Sequence, residues 1–170
     1  SFPSSFAVSN ILAGTLFTLK KWSPAIALYD EALAINPNYE IGRFNQAVAY
    51  EELNNLDEAI RHYSDALEIN PEFHQALLNR GLVNEKLGKV QLALNDLTRF
   101  ASKERHHDGV CRVIGDLYWN YLGGSASSLT KGYSKATARA PKTCQNHSLS
   151  CLSSNYFSLA RSEVFSYHKA

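Results

Sequence analysis

A 34-residue internal repeat is the feature of this sequence that most limits its fold. The phrase ALAINP at residues 32–37 returns as ALEINP at residues 66–71, displaced by 34 residues. Small, aromatic and leucine residues outside the phrase recur with the same displacement. Self-similarity at such a period is typical of stacked repeat architectures. The aligned sets are Ala25, Ala59 and Ala93; Tyr29, Tyr63 and Leu97; Ala32, Ala66 and Phe100; Ala13, Ala47 and Gly81; and Leu19, Leu53 and Leu87.

Each unit has the pattern of two amphipathic helices joined by a short turn. Apolar residues follow helical spacing on both sides of the turn. Asn and Gly tolerate the left-handed conformation that ends a helix, which predicts turns at Asn54 and Gly88. We expect Asp57 to cap the second helix of the second unit. In the first unit, Ser23 and Pro24 are expected to start the equivalent helix.

The repeat resembles the tetratricopeptide repeat family. That family has a 34-residue helix–turn–helix with small residues at fixed places, aromatics between them and a closing proline. Pro37 and Pro71 close the first two units, whereas Arg105 stands at that place in the third. The resemblance implies an all-α fold, a right-handed solenoid of helix–turn–helix repeats. The three units are 6–39, 40–73 and 74–107.

A seventh helix is predicted over residues 108–122. Its partner helix does not follow, because Gly123 and Gly124 precede a stretch without the pattern of small and large residues. We interpret this helix as a terminal one that covers the apolar face of the last repeat, as solenoids require. The alternative is a divergent fourth repeat.

Charge divides the chain into two parts. Residues 1–116 hold 15 acidic residues against 11 Lys and Arg, whereas residues 117–170 hold one against six. The second part is also Ser-rich. We therefore predict a repeat array over residues 1–122 and an irregular, Ser-rich basic segment over residues 123–170.

Bulk composition excludes few classes of function. The formal net charge is +1, so overall charge favours neither nucleic acid nor an acidic partner. No apolar run approaches the ~20 residues of a membrane-spanning helix. The chain begins SFPSS and contains no Met, which is typical of a fragment. Its three cysteines are too sparse for a disulfide scaffold, which favours an intracellular, reducing setting.

The first helix of each unit lines the concave side of such a superhelix, and the resemblance implies that extended peptides or partner helices bind there. Asn45 and Asn79 stand one repeat apart on this face. A side-chain amide offers a donor and an acceptor, so it can pair with a peptide backbone of any sequence. The alternative is that both amides bond only across neighbouring helices. The predicted groove residues are Asn10, Phe44, Asn45, Val48, Leu78, Asn79 and Leu82.

Capture of a chaperone tail by its terminal carboxylate is a narrower function that the residues disfavour. Relatives of that type use a Lys/Asn pair, a further Asn, and a Lys/Arg pair on successive first helices. The corresponding residues here are Asn10 and Gly14, then Asn45, then Gln75 and Asn79. Only Asn45 matches, and without cations a carboxylate loses its charge-assisted hydrogen bonds.

Catalytic and metal sites have little support. No nucleophile motif, phosphate loop or paired-acid signature is present, so we predict no catalytic residue, no cofactor and no enzyme activity. His62 and His74 are expected to be solvated or interhelical. Residues 144–151 give a Cys-x2-His-x3-Cys spacing, with Cys111 or a histidine near it as a fourth ligand. That spacing matches no standard zinc site, and we expect no metal and three free thiols.

The leading hypothesis is a protein–protein interaction scaffold that binds a peptide or helix in its concave groove. The basic residues between 131 and 142 come with no nucleic-acid motif, so neither nucleic acid nor a membrane is an expected partner. One alternative is a substrate-selecting or assembly region of a larger enzyme whose catalytic domain lies outside this sequence. Another is self-association through an uncovered repeat face.

Overall fold

The computed structural model describes residues 3–103 and 108–121, which form seven α-helices and no strand. By their contacts the residues divide into two units, Ser1–Lys89 and Val90–Ala170. The first unit contains α1 to α5 and the second contains α6 and α7. The helices are α1 (Pro3–Thr18), α2 (Trp22–Ile35), α3 (Glu40–Glu52), α4 (Leu56–Ile69), α5 (His74–Lys86), α6 (Val90–Lys103) and α7 (Asp108–Tyr121).

Within each unit, every helix packs on the next one along the chain. In the first unit α1 packs on α2, α2 on α3, α3 on α4 and α4 on α5; in the second, α6 packs on α7. Contacts between sequence neighbours are the defining property of a solenoid. The predicted fold class, an all-α solenoid of helix–turn–helix repeats, is confirmed. The segment predicted to be irregular, 123–170, lies outside the described residues, and the division into domains stays a prediction.

Three equivalent turns end the first helix of each helix pair. The Asn54 N–H donates to the Glu51 carbonyl at 2.8 Å, and the Asn55 N–H donates to the Tyr50 carbonyl, also at 2.8 Å. This pair of bonds is the Schellman motif, which needs one residue with positive φ. The turns predicted at Asn54 and Gly88 are therefore present. The residues with positive φ in these three turns are Lys20 (56°), Asn54 (58°) and Gly88 (69°).

The predicted helix caps at Asp57 and Ser23 are wrong. α4 already begins at Leu56 and α2 at Trp22, and the residue before each makes no side-chain cap hydrogen bond. The turn is so short that its second residue, Lys21 or Asn55, directly precedes the next helix. Asp57 lies in the first turn of α4, where a carboxylate favourably faces the helix dipole, and it pairs with Lys89 at 3.4 Å.

The two copies of the repeated phrase end α2 and α4. Asn36 and Asn70 leave the helix with φ of −126° and −130° and ψ of 90° and 92°. Both φ values lie in the extended range that a residue before proline prefers, outside the helical region. Pro37 and Pro71 then prevent the helix from continuing, since proline has no backbone N–H. The phrase is therefore a helix end followed by a stop.

The recurring small residues form the contact points between helices. Ala25, Ala32, Ala59 and Ala66 are completely buried, and such small side chains let neighbouring backbones approach closely. Large side chains fill the volume between them. Those that are almost completely buried include Tyr29, Tyr63, Leu77, Val83, Leu97 and Ile114.

Candidate partner-binding site

Within residues 1–89, the first helices of successive repeats, α1, α3 and α5, adjoin one another. α1 contacts α3, and α5 meets α3 through an ion pair in which Lys86 Nζ lies 2.6 Å from Glu51 Oε1. All seven predicted groove residues lie on these three helices. Each of them is partly exposed and none is fully buried.

The two groove amides are fixed by equivalent hydrogen bonds. Asn45 Nδ2 donates to the Tyr29 hydroxyl at 2.9 Å, and Asn79 Nδ2 donates to the Tyr63 hydroxyl at 3.1 Å. Both bonds span 16 residues and join a first helix to the second helix before it. The amide oxygen of each Asn accepts no hydrogen bond from any described residue. The bond across neighbouring helices is thus present, and it leaves each amide an acceptor for a further partner.

A second row of polar pairs runs beside the first. Gln46 Nε2 donates to Asp30 Oδ1 at 2.6 Å, and Arg80 NH1 donates to the Ser64 hydroxyl at 2.9 Å, again across 16 residues. Aligning the repeats at the 34-residue period does not reveal these pairs, because each pair joins a residue of a second helix to a residue of the first helix of the next repeat. Comparing each second helix with the following first helix would have found them.

Aromatic packing surrounds Phe44. Its ring centroid lies 5.7 Å from that of Tyr63 and 5.0 Å from that of Phe73. Asn10 takes the same place in the first unit, where its Oδ1 accepts a hydrogen bond from the Tyr39 hydroxyl at 3.0 Å. Asn10 therefore also holds α1 against the loop that follows α2, and Phe44 holds α3 against the loop that follows α4. Val48, Leu78 and Leu82 are half-buried.

Glu51 is a residue that the sequence analysis missed. Besides its ion pair with Lys86, its Oε2 accepts a hydrogen bond from the Tyr63 hydroxyl at 3.0 Å. Burial raises the pKa of Tyr63 well above its usual value, and burial also raises the pKa of Tyr29. The two phenols therefore stay protonated at neutral pH, and the pairs with Asn45 and Asn79 keep their geometry.

His62 is buried, with 3% of its surface exposed. Of the two expectations for this residue, it is therefore interhelical and not solvated. Its ring stacks on Tyr50 with a centroid distance of 5.1 Å and an interplanar angle of 11°. Its Nδ1 makes no hydrogen bond. Burial lowers the pKa of His62, and the Arg61 guanidinium beside it adds to that effect. The imidazole is therefore neutral at neutral pH.

The remaining sequence-level candidates lie mostly outside the described residues, including the cysteines and histidine of 144–151 and the basic residues from 131 to 142. Cys111 is disulfide-bonded, so the expectation of three free thiols is wrong, and the cysteines no longer favour a reducing setting. Over 3–103 and 108–121, no three His, Cys, Asp or Glu side chains are grouped so that they could hold a metal ion. No helix in these ranges has the length and apolar content to cross a membrane.

Two family sequence profiles match the part of the chain that carries the paired amides. One, described as "TPR repeat", matches residues 49–88, and one, described as "Tetratricopeptide repeat", matches residues 28–61. Residues 28–88 are tetratricopeptide repeats. Asn45, Asn79 and both of their Tyr partners lie inside this range.

Solved structures with the same fold include two tetratricopeptide repeat domains. The first such domain of Spaghetti (RPAP3), bound to the HSP90 peptide SRMEEVD, is 20% identical and gives a TM-score of 0.64 over 69% of this chain and 93% of that chain. The tetratricopeptide repeat domain of Arabidopsis OM64 is 23% identical, with a TM-score of 0.61 over 66% and 93%. MamA is 18% identical, with a TM-score of 0.67 over 81% and 79%. No curated protein matches the chain in sequence.

Proposed function

We propose that this tetratricopeptide repeat protein binds a peptide or helix of a partner protein in the groove lined by α1, α3 and α5. The tetratricopeptide repeat is a protein-interaction fold, which supports a scaffold role. The observation that carries the groove assignment is the pair of amides at Asn45 and Asn79. Each is held in place by a buried tyrosine and keeps an unpaired oxygen. Donors and acceptors fixed in advance bind at a lower entropic cost than mobile ones.

The chemistry of the groove suits a backbone-directed contact with apolar anchors. The free oxygens of Asn45 and Asn79 can accept N–H donors from an extended segment. Phe44, Val48 and Leu82 lie on the same helices with part of their surface exposed and can take up apolar side chains of the partner. We expect the bound segment to be uncharged or mixed in charge where it meets the two amides.

The bound segment is expected to differ from the HSP90 peptide seen with the Spaghetti domain. That peptide ends in acidic residues and a terminal carboxylate. The corresponding places in this chain hold Asn10, Gly14, Gln75 and Asn79, none of which is a cation. Lys86 lies on α5 but already pairs with Glu51. An internal segment of a partner therefore fits this groove better than a free carboxyl terminus.

A displayed library of random peptides selected on the chain tests the proposal. Selected peptides should bind the double variant Asn45→Ala/Asn79→Ala at least about tenfold more weakly, since two hydrogen bonds contribute about 1 kcal/mol each. The double variant Tyr29→Phe/Tyr63→Phe keeps the amides but removes the hydroxyls that orient them, and it should lose affinity to a smaller extent.

The matched control is Glu68→Ala/Gln91→Ala, which changes two exposed residues of second helices and should leave affinity unchanged. Circular dichroism of every variant checks that helicity is retained. Equal affinity of the wild-type chain and the Asn45/Asn79 variant would remove the groove assignment. Selection of peptides whose binding depends on their terminal carboxylate would contradict the internal-segment proposal.

A further inference from the structure

The helix α1 exposes a row of aliphatic side chains. Val8, Ile11 and Leu12 are 53%, 67% and 48% exposed, and their spacing of three and four residues places them on one helix face. Among the described side chains, every other helix exposes at most one large apolar residue. We call Val8, Ile11 and Leu12 the α1 row.

The repeat assigns a role to this row. One repeat later, the places of Ile11 and Leu12 are held by Asn45 and Gln46, which bond to the preceding second helix α2. Two repeats later, Asn79 and Arg80 bond in the same way to α4. The α1 row is therefore the surface that a first helix turns toward a preceding helix. No described residue covers it.

The residue types of the row define what can cover it. In α3 and α5 the residues at these places are small or polar, and they face a Tyr that is followed by Asp or Ser. In α7 the residues at these places are aliphatic, as they are in α1. Val110 and Ile114, at the places of Val8 and Leu12, are 8% and 0% exposed in a helix that packs on α6. The facing places of α6 hold Leu97 and Thr98 where α2 has Tyr29 and Asp30. An aliphatic row thus goes with a facing surface that has Leu97 and Thr98 in place of the phenol and the carboxylate.

α1 itself is such a surface. Its 16 residues include no Asp, Glu, Lys or Arg. A twofold pair brings the same patch from both subunits together, so it must be complementary to itself. A charged patch would face like charges in that arrangement, whereas the α1 row faces only aliphatic groups. A second copy of the chain therefore offers an exposed, uncharged aliphatic helix face that matches the requirement.

We propose that the chain self-associates by packing α1 of one copy on α1 of a second copy, with Val8, Ile11 and Leu12 at the centre of the contact. One helix face per subunit buries less than the ~1,200–2,000 Å² of a stable interface, so association is weak and concentration-dependent. This contact does not involve the groove amides and stands or falls independently of the proposed peptide binding.

Analytical ultracentrifugation of the full chain over a wide concentration range tests this contact. The wild-type chain should pass from monomer to dimer as the concentration rises. The double variant Ile11→Asn/Leu12→Gln places the α3 residues at the same repeat places in α1 and should stay monomeric. The control Ile41→Gln changes a residue of α3 that is 46% exposed and lies outside the row, and it should dimerise like the wild type.

A charge-reversal pair distinguishes α1–α1 contact from any other mode. The variants Ile11→Glu/Leu12→Glu and Ile11→Lys/Leu12→Lys should each be monomeric because like charges face each other, and their mixture should form a heterodimer. A monomeric wild type at every concentration would overturn the proposal. Undiminished dimerisation of the Asn/Gln variant, or a mixture of folded charged variants that stays monomeric, would do so as well.

Discussion

His62 is buried on α4, in the second repeat, with its ring stacked on Tyr50 and its Nδ1 without a hydrogen bond. Burial, and then the Arg61 guanidinium, lower its pKa, although Glu58 and Asp65 each have a carboxylate oxygen 4.0 Å from the ring. The folded state therefore binds its proton at lower pH than the unfolded chain, whose histidine titrates near about 6.5. Because the unfolded state holds more protons below that value, stability decreases as the pH falls.

Replacing His62 by leucine tests this linkage. The change copies Leu28, which holds the same place in the first unit. We expect the free energy of unfolding of the wild-type chain to fall between about pH 7.5 and 5.5, and the His62→Leu variant to show a shallower decrease. Near pH 7.5 the two should differ by no more than about 1 kcal/mol, since the variant loses a stacking contact but no longer buries an unbonded nitrogen. Parallel pH profiles from urea titrations would contradict the assignment.

The Tyr29–Asn45 pair can be measured with a double-mutant cycle. Tyr29→Phe removes the hydroxyl, and Asn45→Val copies Val113, which holds this place in α7. Each single change should cost about 1 kcal/mol of unfolding free energy, and the double variant should cost less than the sum, with a coupling of about 0.5–1.5 kcal/mol. Additive effects in chemical denaturation would show that the hydrogen bond contributes nothing to stability.

At the scale of elements, the three equivalent turns differ in the residue that carries positive φ. Lys20 has φ of 56° at the place where Gly88 has 69°. A residue with a Cβ is strained there, by about 1–2 kcal/mol for most side chains. Lys20→Gly should therefore raise the free energy of unfolding by roughly 0.5–1 kcal/mol after the greater flexibility of glycine in the unfolded chain is counted. Thermal unfolding measures the shift.

The neighbouring lysine provides the control for that prediction. Lys21 has φ of −90°, so glycine relieves no strain at this place and Lys21→Gly should leave stability unchanged or lower it. Equal stabilisation by both changes would indicate an effect of charge removal instead of backbone strain. The smaller strain of Asn54, whose side chain tolerates this region, predicts a smaller gain for Asn54→Gly.

The sequence predicted the helices and turns well because their signals are local and recur. Small residues at a 34-residue period, a proline after Asn36 and Asn70, and a turn residue at Gly88 each restrict the backbone at their own place. The helix starts at Leu56 and Trp22 were missed by two residues, since the turn residue itself precedes the helix and no side-chain cap is needed.

The contacts of the candidate site were less predictable because they join residues from different helices. Asn45 and Asn79 could be identified as one repeat apart, but their bonds to Tyr29 and Tyr63 depend on how α2 and α4 are placed against the next helix. The burial of His62 likewise depends on packing, since the equivalent residue of the first repeat, Leu28, is an apolar residue that gives no sign of a buried histidine. No local pattern separates these outcomes from a solvated side chain.

At the scale of the molecule, residues 1–89 form one unit by their contacts and should fold without the rest of the chain. The fragment keeps the α5 turn, in which the Lys89 N–H donates to the Asn84 carbonyl at 2.8 Å. We expect it to be helical, to unfold cooperatively in urea and to lose stability on Tyr29→Phe as the full chain does. A fragment without a cooperative transition would show that the unit needs residues beyond Lys89.

The 16-residue spacing of the polar pairs has a consequence for exchanging parts between such proteins. A cut at Pro37 leaves Tyr29 on one side and Asn45 on the other, and a cut at Pro71 separates Tyr63 from Asn79 in the same way. A transplanted repeat therefore arrives without the partners of its own tyrosine and amide. The smallest piece that keeps both members of these 16-residue pairs runs from the start of one second helix to the end of the next first helix, as α2 and α3 do. Such a piece still separates Glu51 from Tyr63. Chimeras joined inside the Schellman turns should therefore keep these pairs matched, whereas chimeras joined at the prolines need the pairs redesigned.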